Sequence, residues 1–130
     1  MTARNRKIVM VVDDDRHTLE FVTECLRQMG QEVYAAANGE EAMELIHNLK
    51  VKIDLLLSDV VMPGINGIEL ARRLAEAVPA IKIIFMSGYM KPALPAQNAT
   101  NDENGFLQKP FSGRTLMNHV KQALAELPPD

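Results

Sequence analysis

The chain has 130 residues, of which 47% are hydrophobic and 24% charged, a balance that fits one soluble globular domain able to bury a core without staples. The formal net charge is −3, so a surface built to hold nucleic-acid phosphates is not expected, and the lone cysteine, Cys25, excludes an internal disulfide. No apolar run reaches the roughly 18 residues of a membrane span, and the basic start runs into an apolar stretch too short for a secretory core, so a cytoplasmic protein without membrane insertion is expected.

Ile8–Val12 is a short continuous apolar run, as expected of a strand buried on both faces. Residues 16–29 follow a helical period that puts Thr18, Val22, Cys25, Leu26 and Met29 on one face, where Cys25 reads as a buried structural thiol. Residues 32–37 predict a weaker strand with Val33 and Ala35 on one side. Asn38 and Gly39 turn the chain, and residues 40–49 predict a helix with Ala42, Leu45, Ile46 and Leu49 inward. Residues 53–58 make the most apolar strand, and Asp59 stands at its carboxyl end. Pro63-Gly64 and Asn66-Gly67 punctuate the loop that follows. A third helix covers residues 67–76, with Ile68, Ala71 and Leu74 or Ala75 facing the core. Residues 81–86 predict a fourth buried strand that ends at Ser87-Gly88. Phe106–Gln108 reads as a short fifth strand before Lys109-Pro110. Ser112 can cap a last helix that runs to Leu127, with Leu116, Val120, Ala123 and Leu127 inward.

The segment from Met90 to Asn104 breaks the pattern. Pro92 and Pro95 come early, and Asn98, Thr100, Asn101, Asp102 and Asn104 follow. A proline in a helix interior costs about 3 kcal/mol, and the apolar residues are too few for a core-facing stripe. Any helix between the fourth and fifth strands is therefore expected to be short, distorted or mobile. The weighed alternative is a helix of one or two turns started by Pro95. Apart from this segment the order is βαβαβαβ followed by βα, which implies an α/β fold with a doubly wound parallel sheet covered on both faces.

Such sheets carry their sites at the carboxyl ends of the strands. The informative polar residues fall there: Asp13 and Asp14 after the first strand, Asp59 after the third, Ser87 after the fourth and Lys109 after the fifth. Carboxylates gathered on one edge repel unless they are protonated or share a cation. Oxygen-only ligands suit a hard ion, and Mg²⁺ is the usual one. His17, His47 and His119 are spread over three predicted helices and make no zinc set. The plainer reading of Asp13, Asp14 or Asp15 is that one of them caps the first helix. The plainer reading of Lys109 is a solvated amine. Neither explains why Asp59 and Lys109 each follow a buried strand.

Four blocks in this order resemble the receiver domain of bacterial two-component response regulators: Val11-Val12-Asp13-Asp14-Asp15, Asp59-Val60-Val61-Met62-Pro63-Gly64, Met86-Ser87-Gly88-Tyr89 and Lys109-Pro110-Phe111. The resemblance spans residues 7–127 of one domain covering 1–130. It implies a flavodoxin-like (βα)5 fold with strand order 2-1-3-4-5. It implies that Asp59 is the phosphoacceptor, with Mg²⁺ held by Asp14, Asp59, the backbone carbonyl of Val61 and, through water, Asp13. Ser87 would bond the phosphoryl group, Lys109 would pair with one of its oxygens, and Phe106 would be the aromatic switch that turns inward. The implied partners are a cognate histidine kinase or histidine phosphotransfer protein and an unidentified downstream protein. On this reading the chain is a signalling domain rather than an enzyme, and phosphorylation orders the segment from Met90 to Asn104.

Two other functions compete. A protein-interaction module that works without phosphorylation would have no use for intact Asp13, Asp14, Asp59 and Lys109. A flavodoxin-like electron carrier would need a glycine- and hydroxyl-rich phosphate cradle after the first strand, and three aspartates stand there instead. The closeness of Met1 to the first strand favours a free-standing regulator over the receiver of a hybrid kinase.

Overall fold

A computed structural model describes residues 6–50, 52–88 and 105–127. The elements run β1 (Ile8–Val12), α1 (Arg16–Gln28), β2 (Glu32–Ala36), α2 (Gly39–Leu49), β3 (Leu55–Asp59), α3 (Gly67–Ala77), β4 (Lys82–Ser87), β5 (Phe106–Gln108) and α4 (Gly113–Ala125). The expected short or irregular helix between β4 and β5 lies outside the described residues. Among the described residues, no helix is long and apolar enough to cross a membrane.

Each helix begins where a short polar side chain can accept from an otherwise unpaired first-turn amide. Asp15 accepts from the His17 N–H, Asn38 from Glu41, Asn66 from Glu69 and Ser112 from Thr115. In α2 the cap is reciprocal, because the Glu41 carboxylate takes the Ala37 N–H at 2.5 Å while Asn38 Oδ1 takes that of Glu41 at 2.8 Å. These four caps open the helices that follow β1, β2, β3 and β5, so the four helices among the described residues start from the same edge of the sheet.

The sheet is five-stranded and parallel, in the order β2-β1-β3-β4-β5. Its central strands have no polar face to offer water, because helices cover both sides. One cluster packs Met10, Val12, Leu56, Ile83 and Phe85 against Ala42 of α2 and Leu70, Ala71 and Leu74 of α3. The opposite cluster packs Val9, Val11, Leu55, Leu57, Ile84 and Met86 against Val22 and Leu26 of α1 and Leu116, Val120 and Ala123 of α4. The alternation along each strand sends successive side chains to opposite clusters.

Val33 and Ala35 share one side of the edge strand β2, as expected, with Ala35 exposed and Ala36 buried. Three expectations are corrected in detail. Leu49 is 37% exposed, since α2 ends there with Lys50 in the left-handed region at φ 54°. In α3 the buried face is Leu70, Ala71 and Leu74, with Ile68 at its margin. Cys25 is half-buried, and burial followed by the Glu24 charge raises its thiol pKa.

Gly67 joins β3 to α3 at very close quarters. Its N–H donates to Val60 O at 2.9 Å, and a Cβ at this position would stand 2.0 Å from the Asp59 carbonyl oxygen. Gly67→Ala must therefore push the first turn of α3 away from the end of β3. We expect a loss on the order of 1–3 kcal/mol, the usual cost of overpacking, read from urea unfolding midpoints. Gly88→Ala, where a Cβ would meet nothing within 4 Å, is the matched control and should unfold near the wild-type midpoint.

Candidate functional site

The sheet register sets the site. Val12 pairs with Ser58, Asp59 with Met86, and Ser87 with Gln108, so the chain leaves β1, β3, β4 and β5 at nearly one level. Residues just past those strands must then meet at one end of the molecule. Asp13 follows β1 and its side chain is fully buried. Its backbone N–H donates to Ala36 O at 3.2 Å, and its Oδ1 accepts from the Asp15 N–H at 2.8 Å. Asp59, the last residue of β3, is 8% exposed. Asp14 is exposed beside them. Carboxylate oxygens of Asp13, Asp14 and Asp59 lie within 4.8 Å of one another.

Lys109 supplies the opposing charge. Its backbone N–H donates to Ser87 O at 2.7 Å, which extends the β4–β5 pairing past the end of β5. The Lys109–Pro110 peptide bond is cis. The ammonium lies 2.8 Å from Asp13 Oδ2 and 3.3 Å from Asp59 Oδ2. It hydrogen-bonds Asp59 and makes a short ion-pair contact with the buried Asp13 Oδ2. Burial alone would lower the Lys109 pKa, and the contacts with Asp13 and then Asp59 outweigh it and leave the pKa raised.

One ammonium does not neutralise the cluster. Burial, and next the Asp13 charge, raise the Asp59 pKa above its ordinary value, while Lys109 and a hydrogen bond from the Val61 N–H pull it back. The result is a crowded, oxygen-rich site in which three carboxylates face one ammonium. Its donor chemistry fits a hard divalent cation.

The expected site residues thus come together: Asp13, Asp59 and Lys109 in direct contact, a carboxylate oxygen of Asp14 within 4.8 Å of those of Asp13 and Asp59, and Val61 two residues beyond Asp59. Ser87 is buried at the tip of β4. Phe106 opens β5 opposite Phe85 and packs, partly buried, against the core on the α2–α3 side. The capping role divides cleanly from the site. Asp15 holds α1, also accepting from Thr18 Oγ1 at 2.7 Å, and the Thr18 bond is the main reason its pKa is lowered. Asp13 and Asp14 are left for other work. Sequence reading missed Glu40, which reaches the loop after Asp59 from a site 25 residues away in the chain and carries no local signature.

The raised Asp59 pKa has a consequence for stability. Between its unfolded value and the higher folded one, the folded state holds more protons, so stability falls as pH rises through that window. The penalty is carried on the alkaline side of that window. In Mg²⁺-free buffer, Asp59→Asn should therefore melt above the wild type at pH 7. The gain should be a few degrees, the scale on which about 1 kcal/mol moves a domain of this size. It should shrink as the pH approaches 4, and scanning calorimetry at both pH values checks this.

Comparison with known proteins agrees with this geometry. The sequence profile of the response regulator receiver domain matches residues 9–121. The chain is 37% identical over 119 residues to the response regulator receiver protein CpdR of Brucella abortus, covering 91% of this chain and 97% of CpdR. It is 38% identical over 116 residues to the sensor kinase CckA of the same organism, covering 89% of this chain but 12% of that much longer protein. Among solved structures, the receiver domain of the hybrid histidine kinase CckA superposes with a TM-score of 0.73 at 35% identity, covering 90% of this chain and 98% of that one. The chemotaxis protein CheY4 of Vibrio cholerae superposes with a TM-score of 0.77 at 27% identity, covering 91% and 98%. The chain belongs to the response regulator receiver domain family and is a phosphorylation-controlled signalling domain of the two-component type.

Proposed function

We propose that Asp59 is the residue phosphorylated, that the donor is a phosphohistidine on a histidine kinase or histidine phosphotransfer protein, and that the reaction depends on Mg²⁺. The observation that carries this reading is the Asp59 carboxylate at the tip of β3, with the Lys109 ammonium 3.3 Å from its Oδ2. A carboxylate oxygen of Asp59 attacks phosphorus as the P–N bond to the donor imidazole breaks, and the electron pair leaves with the imidazole. The product is an acyl phosphate on Asp59, and attack of water on its phosphorus regenerates the carboxylate and releases inorganic phosphate.

The residues suited to hold Mg²⁺ are Asp14, Asp59 and the Val61 backbone carbonyl, with Asp13 acting through water. Bound there, Mg²⁺ supplies a hard Lewis acid that offsets negative charge on the phosphoryl oxygens. Lys109 adds a positive charge on the other side, where charge develops during transfer. Burial keeps water from screening both. Ser87, at the tip of β4, then bonds the phosphoryl group, and Phe106 moves inward to fill the space the shifted loop vacates. A local charge event becomes a change of packing on a surface read by a downstream protein.

The surroundings support a protein donor. Asp15, His17, Thr18 and Phe21 of the α1 end form an open depression with Lys109, Pro110 and Phe111 beside the acceptor. Phe21 is 43% exposed, with its ring 6.4 Å from that of Phe111, so apolar surface is available next to the reacting carboxylate. We read residues 1–130 as one cytoplasmic domain with its core at 7–127, acting on proteins rather than on nucleic acid.

Incubation with acetyl phosphate and Mg²⁺ should add the mass of one phosphoryl group to the intact protein, and the Asp59→Asn protein should gain none. Equal uptake by the variant would place the acceptor elsewhere. Lys109→Ala should keep a native circular dichroism spectrum at room temperature but melt below the wild type, because the buried Asp13 loses its partner. Removing the ammonium should abolish the response at Phe106 to beryllofluoride, followed by NMR. A wild-type response at Phe106 in that variant would remove Lys109 from the coupling.

A further inference from the structure

The loop joining Asp59 to α3 carries Val61, whose backbone N–H is among the groups that hold the Asp59 pKa down. Its base is fastened at both ends, by the Val60 N–H to Met86 O at 3.1 Å and the Gly67 N–H to Val60 O at 2.9 Å. Its tip is held from another element. Glu40, in the first turn of α2, accepts the Ile65 N–H at 3.2 Å through Oε2. Beside it Gly64 is in the left-handed region at φ +77°, and a Cβ there would lie 2.5 Å from Glu40 Oε2 and 2.9 Å from Oε1. The bare face of Gly64 is therefore what the carboxylate rests on. One residue earlier, a Cβ at Gly39 would be 3.0 Å from Ile65 Cβ, so the start of α2 and the loop tip are in close contact.

The neighbouring glutamates divide the work. Glu41 and Asn38 complete the reciprocal cap of α2 between them. Glu40 is not part of that cap, and its carboxylate turns outward to the loop instead. We propose that Glu40 is a positioning residue for the phosphoacceptor site: its bond to the Ile65 N–H fixes the loop that presents Val61 to Asp59. The proposal rests on the reading of Asp59 as acceptor and of the Val61 carbonyl as a cation ligand. Glu40 acts at a distance from the reacting atoms, through the backbone of residues 61–65. Its effect is on how well the loop is held ready before the phosphoryl group arrives.

The test compares the full chain with Glu40→Ala, Glu40→Gln and, as a charge control on the same helix, the exposed Glu44→Ala. Three measurements are made on each: Mg²⁺ affinity by NMR titration, the rate of phosphoryl uptake from acetyl phosphate, and exchange of the Ile65 amide without Mg²⁺. Melting temperature is recorded alongside. Glu40→Ala should weaken Mg²⁺ binding and slow uptake on the order of threefold to tenfold, the range one net hydrogen bond spans, and the Ile65 amide should exchange faster. Glu40→Gln keeps an acceptor oxygen for Ile65 and should stay near wild type in all three, as should Glu44→Ala. Wild-type Mg²⁺ affinity and uptake in Glu40→Ala would overturn the proposal. So would a Gln variant as impaired as the Ala variant, or a Glu44→Ala loss of the same size, since either points to charge alone. If the wild type takes up no phosphoryl group at Asp59, the acceptor reading fails. Glu40 is then judged by Ile65 exchange and Mg²⁺ affinity, and unchanged values in Glu40→Ala overturn its role independently.

Discussion

The contact between the Lys109 ammonium and the carboxylates of Asp13 and Asp59 organises the whole carboxyl edge of the sheet. Asp13 is fully buried, and a buried carboxylate without a partner is among the costliest groups a fold can carry. Lys109 meets that need only because β5 ends at the right level, and β5 is held there by its pairing with β4 and by the extra bond from the Lys109 N–H to Ser87 O. The apolar core is thus arranged so that strands of unrelated sequence stop together. The site is the polar remainder of that arrangement, where chain ends and helix starts converge and full neutralisation is withheld.

This incomplete neutralisation links stability to function. A site satisfied by its own protein groups would have no use for a cation or an incoming phosphoryl group. Asp59 is instead kept ionisable but uncomfortable, by burial and by Asp13, with Lys109 and the Val61 N–H limiting the penalty. The scaffold around it rests on two buried apolar clusters, one on each face of the sheet. The same division appears within single segments. Asp15 serves the helix while Asp13 serves the site, and Glu41 serves the helix while Glu40 serves the loop.

Most of the fold was legible in the sequence because its signals are local. Ile8–Val12 and the strand ending at Asp59 are continuous apolar runs, and Asn38, Asn66 and Ser112 stand one residue before the helices they cap. The strand-end polar residues could be named because a parallel sheet turns sequence order into spatial convergence. The roles proposed for them needed a resemblance as well, since a carboxylate that caps and one suited to a cation look the same in a single sequence. Where the reading slipped, a tertiary fact decided. Leu49 lies at the end of α2 where the helix face is no longer covered, and Leu70 and Ile68 compete for one helical face. The bond from the Ile65 N–H to Glu40 joins residues on different helical approaches, and no periodicity marks it.

The burial of the lysine contact separates two parts of the molecule's electrostatics. Small ions screen exposed charges over about 10 Å at 0.1 M salt but reach a buried pair far less. The Lys109 side chain is 21% exposed and that of Asp13 is shut away entirely, whereas the ion pairs of Arg72 with Glu69 and Glu76 on α3 lie open to solvent. Ionic strength therefore acts on the outer surface of the domain and leaves the inner charge balance almost untouched. The lysine contact is insulated from the ionic strength of the surrounding medium, while any encounter that depends on surface charge stays responsive to it.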